Sequence, residues 1–177
     1  YVDMANTPAG YELLEFKEVF TKWDIAFAEK GWTAIFLSNH DNARLIDRFG
    51  NTSPEFRTVS TQMLNTFLLS MRGTPYTYYG DELGMAGNKD LKGDGDIRHD
   101  FPGGWKGDPI NAFTAKGRTP GQTGFFEFSK KLFNWRKSKS VIHTGKTMQF
   151  VPENNVYVYF RYTDDSTVMV VINNNAK

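Results

Sequence analysis

Two stretches of this chain follow one plan: an apolar face at helical spacing, a glycine, a short β-prone run, and carboxylates where that run ends. In the first, Leu13, Phe16, Phe20, Trp23 and Phe27 recur at alternating intervals of three and four. Gly31 then stops the helix, and Thr33 to Ser38 reads as a short buried strand. In the second, Ser53-Pro54 opens a helix with a capping hydroxyl and a proline in the first turn. Its face is Phe56, Val59, Met63, Phe67 and Met71, with Leu64 and Leu68 alongside. Gly73 and Pro75 end it, and Pro75 to Tyr79 runs into Gly80-Asp81-Glu82. Strands joined through helices pair in parallel. The aromatic residues of the first helix, Trp23 included, are expected to pack against such a sheet.

In a parallel sheet or barrel, side chains at the carboxyl ends of the strands leave the packed core and share a crevice. The first run ends in Ser38-Asn39-His40-Asp41, with Arg44 three residues on. An amide, an imidazole, a carboxylate and a guanidinium together suit a polar, hydroxyl-rich substrate that develops positive charge. The same residues also fit a capped loop, with Asp41 accepting backbone N–H groups and His40 merely satisfied.

The rest of the chain is less regular. Residues 1 to 10, with Pro8 and Gly10, read as the tail of a strand and a loop. Residues 86 to 118 have no hydrophobic period and are rich in Gly and Asp, as in a functional loop. Within them, Asp90, Asp94, Gly95 and Ile97 fit part of a calcium-loop register. Lys92 and Phe101 stand where oxygen ligands are needed, so a turn-rich loop is expected instead. His99-Asp100 brings the pairing seen in metal phosphohydrolases, but three histidines in the whole chain are too few for such a site. Thr119-Pro120-Gly121-Gln122 is a capping box, and Phe125, Phe128, Leu132 and Trp135 form the face of the helix it starts. Lys130, Lys131, Arg136 and Lys137 in its second half suit the helix dipole. After Val141 the texture changes to three strands, 147–151, 156–162 and 168–173, an antiparallel meander. A domain boundary is expected near residue 140.

Composition narrows the function classes. Net charge is +1, with acids and bases interspersed, which offers no basic stripe to nucleic acid or to an anionic membrane. Zero cysteines exclude disulfides and thiolate chemistry and leave the compartment open. No apolar run reaches the ~20 residues of a membrane span. The length of 177 residues with 40% apolar content permits a real core. The chain opens on Tyr1 with no initiating methionine, which suggests a segment of a longer protein.

Phe36-Leu37-Ser38-Asn39-His40-Asp41 resembles the segment after the seventh barrel strand of the α-amylase superfamily, glycoside hydrolase family 13. Gly31-Trp32, Arg44, Arg48-Phe49-Gly50, Gly73-Thr74-Pro75-Tyr76 and Tyr79-Gly80-Asp81-Glu82-Leu83-Gly84-Met85 extend the likeness in order and spacing. The resemblance implies an α/β fold. Residues 1–140 would be the C-terminal portion of a (β/α)8 TIM barrel, and 141–177 the start of a small antiparallel β domain. It further implies retaining glycoside hydrolysis, in which two carboxyl groups flank the bond and the transition state resembles an oxocarbenium ion.

On that resemblance Asp41 would be the third acid, the transition-state stabiliser, and His40 would hydrogen-bond the same sugar. Asn39 would orient the pair, Arg44 would line the adjoining subsite, and Asp81 and Glu82 would shape the pocket floor. Trp105 and Phe101 are candidates for stacking on distal sugars. The family's nucleophile segment, Gly-x-Arg-x-Asp, and its acid/base glutamate belong upstream and are absent here; Arg98 and Asp100 in Gly95-Asp96-Ile97-Arg98-His99-Asp100 are a superficial likeness in a loop. The segment alone is therefore expected to be inactive, with the remainder of its own barrel upstream as its partner. Residues 11–85 resemble oligo-1,6-glucosidases and α-glucosidases, and residues 93–173 neopullulanase-like and cyclomaltodextrinase-like enzymes. The expected substrate is accordingly an α-glucan or malto-oligosaccharide. No metal site or cofactor is expected in these residues; calcium would belong to the missing part. A non-catalytic carbohydrate-binding or interaction module is the alternative.

Overall fold

A computed structural model of the chain describes residues 12–27, 30–50 and 53–175. The strand tail expected in residues 1–10 lies outside them. The elements are α1 (Leu13–Phe27), β1 (Ala34–Phe36), α2 (Leu45–Arg48), α3 (Pro54–Ser70), β2 (Thr74–Tyr76), α4 (Lys89–Lys92), α5 (Asp94–Ile97), α6 (Pro120–Ser138), α7 (Ser140–Thr144), β3 (Lys146–Gln149), β4 (Val156–Tyr162) and β5 (Thr167–Asn173). Short 3-10 turns occupy Asp81–Leu83 and Ala115–Gly117. The described residues fall into two compact units, one within 1–35, 63–76 and 133–177, the other within 36–62 and 77–132.

Phe67 of α3 is the hub of the first unit. Its ring lies 5.4 Å from that of Phe16 and 4.9 Å from that of Phe20, both edge-on, and 6.0 Å from that of Tyr159. The helical spacing in α1 thus buries Leu13 and Phe16, and Phe16 and Phe20 meet α3 through Phe67. Trp23 and Phe27 do not pack as expected: they stack on each other at 5.8 Å and stay 45% and 37% exposed. In β4 alternation places Tyr157, Tyr159 and Arg161 on one fully buried face. Burial lowers the Arg161 guanidinium to about 10, and its Nη2 donates to the carbonyls of Ile142 and Gly145. The Tyr159 hydroxyl meets Ser70 Oγ, and burial raises its pKa.

The meander β3-β4-β5 is antiparallel throughout, with Lys146 opposite Tyr162 and Val156 opposite Asn173. The Asn154-Asn155 pair closes the first link of the meander, from β3 to β4, as a two-residue hairpin turn, with φ of 51° and 57° and Glu153 and Val156 exchanging both backbone bonds. Asparagine tolerates that left-handed region, which a primed turn demands. Arg136 of α6 does more than complement its own helix dipole. Its guanidinium caps the end of α3, donating to the carbonyls of Leu69, Met71 and Gly73.

Strands β1 and β2 are shorter than the expected runs and form a two-stranded sheet. Thr74 N donates to Thr33 O at 2.8 Å, start against start, as in a parallel pair. Gly73 permits this approach: its φ is +127°, and a Cβ there would lie 2.9 Å from Thr33 O. The expectation of a buried strand fails in part, because Ile35 is buried while Ala34 and Phe36 are exposed. A two-stranded sheet leaves alternate side chains with nothing over them. Val59 of α3, placed on the apolar face by spacing, is likewise 59% exposed.

In the second unit the stretch 86–118 is more structured than its composition suggests. It holds α4, α5 and a 3-10 turn, and Ile97 and Ala112 are buried. Ala112 packs with Leu83 and Met85, and Phe101 and Phe126 close over that cluster. The capping box forms as expected, Thr119 and Gln122 each accepting the other's backbone N–H. Among the described residues no helix is long and apolar enough to cross a membrane.

Truncating the hub of the first unit tests this account. Phe67→Ala should cost about 3–5 kcal/mol, the usual loss for a fully buried aromatic ring, whereas Val59→Ala should cost well under ~1 kcal/mol. Denaturant unfolding of the two variants against the wild type checks both.

Candidate functional site

The site lies in the second unit, where the chain leaves β1. Asn39 shapes it: its Oδ1 accepts from the backbone N–H of Asp41 at 2.9 Å and of Asn42 at 3.1 Å, and from Asn42 Nδ2 at 2.8 Å. This is an Asx-type turn. The capping role that the loop alternative assigned to Asp41 therefore belongs to Asn39, and the Asp41 carboxylate is left to side chains. Its Oδ2 lies 3.4 Å from His40 Nε2, and its Oδ1 lies 3.1 Å from Arg98 Nη2. The side chains of His40 and Asp41 are 68% and 60% exposed, open to a solute.

Beneath this turn the unit is built of buried polar ties. Arg44 has no exposed surface; its guanidinium carbon sits 4.5 Å from the ring centres of both Tyr78 and Tyr79, and its Nη1 donates to Tyr79 O. Its backbone N–H donates to Gly87 O at 2.8 Å. The guanidinium that spacing placed beside the acid is thus a cross-link under it. Arg48 Nη1 donates to Leu37 O at 3.0 Å and holds the last residues of the strand run.

Asp81 is also buried, 5% exposed, and accepts from Ser38 Oγ and from Tyr78 N. Its Oδ1 has no hydrogen-bond partner among the described residues. Burial therefore outweighs the Ser38 bond and the Arg44 charge and raises the carboxyl from 3.8 to about 6. Glu82 Oε2 accepts from Gly80 N at 2.8 Å. Both acids are tied into the loop after β2.

The segment 86–100 leans on the Asn39–Asp41 turn. Arg98 Nε donates to His40 O at 2.9 Å, Lys89 Nζ reaches Asp41 O at 3.4 Å, and Tyr79 Oη donates to His99 O at 2.6 Å. Arg98 was the contact that spacing missed, since 57 residues separate it from Asp41 and only a fold brings them together. Trp105 is 76% exposed, with its backbone N–H on Asp108. Phe101 is half-buried on the Leu83 cluster, its ring 4.6 Å from that of Phe113. Neither makes a hydrogen bond or ring contact with Asn39, His40 or Asp41. Asp94 of the partial calcium register pairs with Lys89 and Arg98, cations of its own segment, and the nearby Asp96 pairs with Lys92. Among the described residues no three His, Cys, Asp or Glu side chains gather where they could hold a metal ion.

The buried carboxyl makes stability depend on pH. Between about pH 4 and 6 the native state holds a proton on Asp81 that the unfolded chain releases, so stability falls as pH rises through that window and levels off above it. Relative to Asp81→Asn, the wild type should lose on the order of 2–3 kcal/mol from pH 4 to pH 7. Urea unfolding of both proteins across that range reads the difference.

Comparison with known proteins bears on the family and the fold. The model of the α-amylase catalytic domain matches residues 3–111, and that of the cyclomaltodextrinase C-terminal domain matches residues 147–177. A palatinase from Erwinia rhapontici is 46% identical over 86 residues, covering 49% of this chain and 15% of that protein. An oligo-1,6-glucosidase from Parageobacillus thermoglucosidasius is 39% identical over 92 residues, 49% of this chain and 16% of that protein. The chain thus aligns with less than a fifth of the length of these relatives. The crystal structure of the trehalulose synthase MutB from Pseudomonas mesoacidophila MX-45 superposes with a TM-score of 0.76 at 26% identity, over 93% of this chain and 38% of that one. The architecture is therefore a portion of a (β/α)8 barrel with an antiparallel β3–β5 sheet. With its catalytic-domain match spanning well over half of its residues, the chain belongs to the α-amylase family.

Proposed function

We propose that this chain is the carboxyl-terminal part of a retaining α-glycoside hydrolase acting on α-glucans or malto-oligosaccharides, with residues 1–140 in the barrel and 141–177 opening the antiparallel β domain. The observation that carries the reading is the Asp41 carboxylate: exposed, freed from backbone capping by Asn39, and flanked by His40 in a chain of the α-amylase family. The related proteins named palatinase and oligo-1,6-glucosidase, and a MutB structure in complex with isomaltulose, favour short α-glucosides as substrates.

In this reading Asp41 accepts hydroxyls of the bound glucosyl ring, and its negative charge favours the oxocarbenium-like transition state over the neutral ground state. His40 donates to the same ring. The nucleophile and the acid/base come from the part of the parent protein that precedes these residues, so residues 1–177 alone turn nothing over. Trp105, whose ring is open to solvent, offers a flat face to more distant sugar units.

The test uses the full-length parent enzyme with p-nitrophenyl α-glucopyranoside. Asp41→Asn should lower kcat by about 10²- to 10³-fold or more, as loss of one preorganised charge partner does, with an unchanged melting curve. Wild-type kcat in that variant would overturn the reading, as would turnover by the purified chain alone.

A further inference from the structure

We propose that Arg98 is a positioning residue for Asp41 and His40: the long 86–118 segment reaches back and sets the orientation of the acid. This rests on the reading of Asp41 given above and goes beyond it, because Arg98 is no part of the strand-end motif.

The geometry is a clamp. Arg98 caps the carboxyl end of α5. Its Nε donates to the backbone carbonyl of His40 at 2.9 Å, and its Nη2 lies 3.1 Å from Asp41 Oδ1. One planar guanidinium therefore grips two adjacent residues, the kind of fork that an ammonium cannot reproduce. The other carboxylate oxygen, Oδ2, faces His40 Nε2 at 3.4 Å. Each oxygen of Asp41 has its own side-chain neighbour, so turning the carboxylate about its Cβ–Cγ bond breaks both contacts.

Arg98 is held in turn. Asp94 Oδ2 lies 3.0 Å from the same Nη2, one helical turn away, and Asp94 Oδ1 lies 3.3 Å from Lys89 Nζ. Lys89 also reaches Asp41 O. Two cations and two acids alternate around the turn. Because Asp94 shares the guanidinium charge, Arg98 orients Asp41 while withdrawing only part of its negative charge.

This arrangement is poorly suited to holding the fold together. The side chains of Arg98, Asp41 and Asp94 are 43%, 60% and 46% exposed, and ion pairs so open to water are screened and add little to stability. An exposed contact that aligns a reacting carboxylate acts on rate, since small misplacements of such groups are costly to the transition state.

The experiment compares Arg98→Ala and Arg98→Lys in the full-length enzyme, alone and combined with Asp41→Asn, using p-nitrophenyl α-glucopyranoside. Arg98→Ala should lower kcat roughly ten- to a hundredfold, with KM changed by less than about threefold and the melting temperature unchanged. Arg98→Lys should regain part of the rate, restoring charge beside Oδ1 but not the bond to His40 O. In the Asp41→Asn background, adding Arg98→Ala should cost less than about twofold, as expected if both act through one carboxylate. Wild-type kcat in Arg98→Ala with an inactive Asp41→Asn would sink this proposal alone. So would a full additive loss in the double variant, or a raised KM with unchanged kcat. Wild-type kcat in Asp41→Asn would remove the functional reading and this proposal with it.

Discussion

Burying a guanidinium costs free energy that only close partners offset, and Arg44 is buried completely. The second unit meets that demand in part, leaving Nε and Nη2 without a hydrogen-bond partner among the described residues. Tyr78 and Tyr79 lay their rings against the cation, and the Tyr79 carbonyl accepts from it. Gly87 O receives the Arg44 backbone N–H, and a Cβ on Gly87 would lie 2.3 Å from Asp96 O, so the chain passes there as glycine. One residue, through its side chain and its backbone N–H, thereby ties together the loops after β1 and β2 and the start of the 86–118 segment. Arg48 and Asp47 extend the set, binding Leu37 O and Gly87 N.

The candidate site stands on this layer. The polar groups of four consecutive residues separate into buried and open roles: Ser38 turns inward to Asp81, Asn39 takes the backbone donors, and His40 and Asp41 face out. The division is physical. An amide beside free N–H groups closes a local turn at little entropic cost, and a carboxylate relieved of that task remains available to cations and hydroxyls. Asp81 shows the opposite arrangement, a buried carboxyl with one oxygen unpartnered among the described residues and its proton affinity raised by that burial. Two acids at two strand ends thus have contrasting chemistry, set by solvent access.

The local parts of the fold were legible in the sequence. Spacing located α1, α3 and α6, the Thr119–Gln122 capping box formed as written, and the meander appeared within a residue or two of the expected runs. These features depend on contacts within a few residues of each other, which a linear pattern records. The exposure of Trp23, Phe27, Phe36 and Val59 was not legible, because apolar periodicity says which side of an element seeks cover and says nothing about what covers it. The 86–118 stretch lacks periodicity altogether, so its two short helices, each a single turn, left no signal.

For the site, the sequence by itself determined the chemical cast, Asn39, His40 and Asp41 at the end of a β run, and the family to which that cast belongs. Tertiary structure alone decided how the cast is used. It buried Arg44 as a cross-link, packed Phe101 into the Leu83 cluster, and carried Arg98 across 57 residues to the acid. The reason is range: a turn closes through neighbours in the chain, while burial and ion pairing are settled by whichever distant groups the fold brings within a few ångströms.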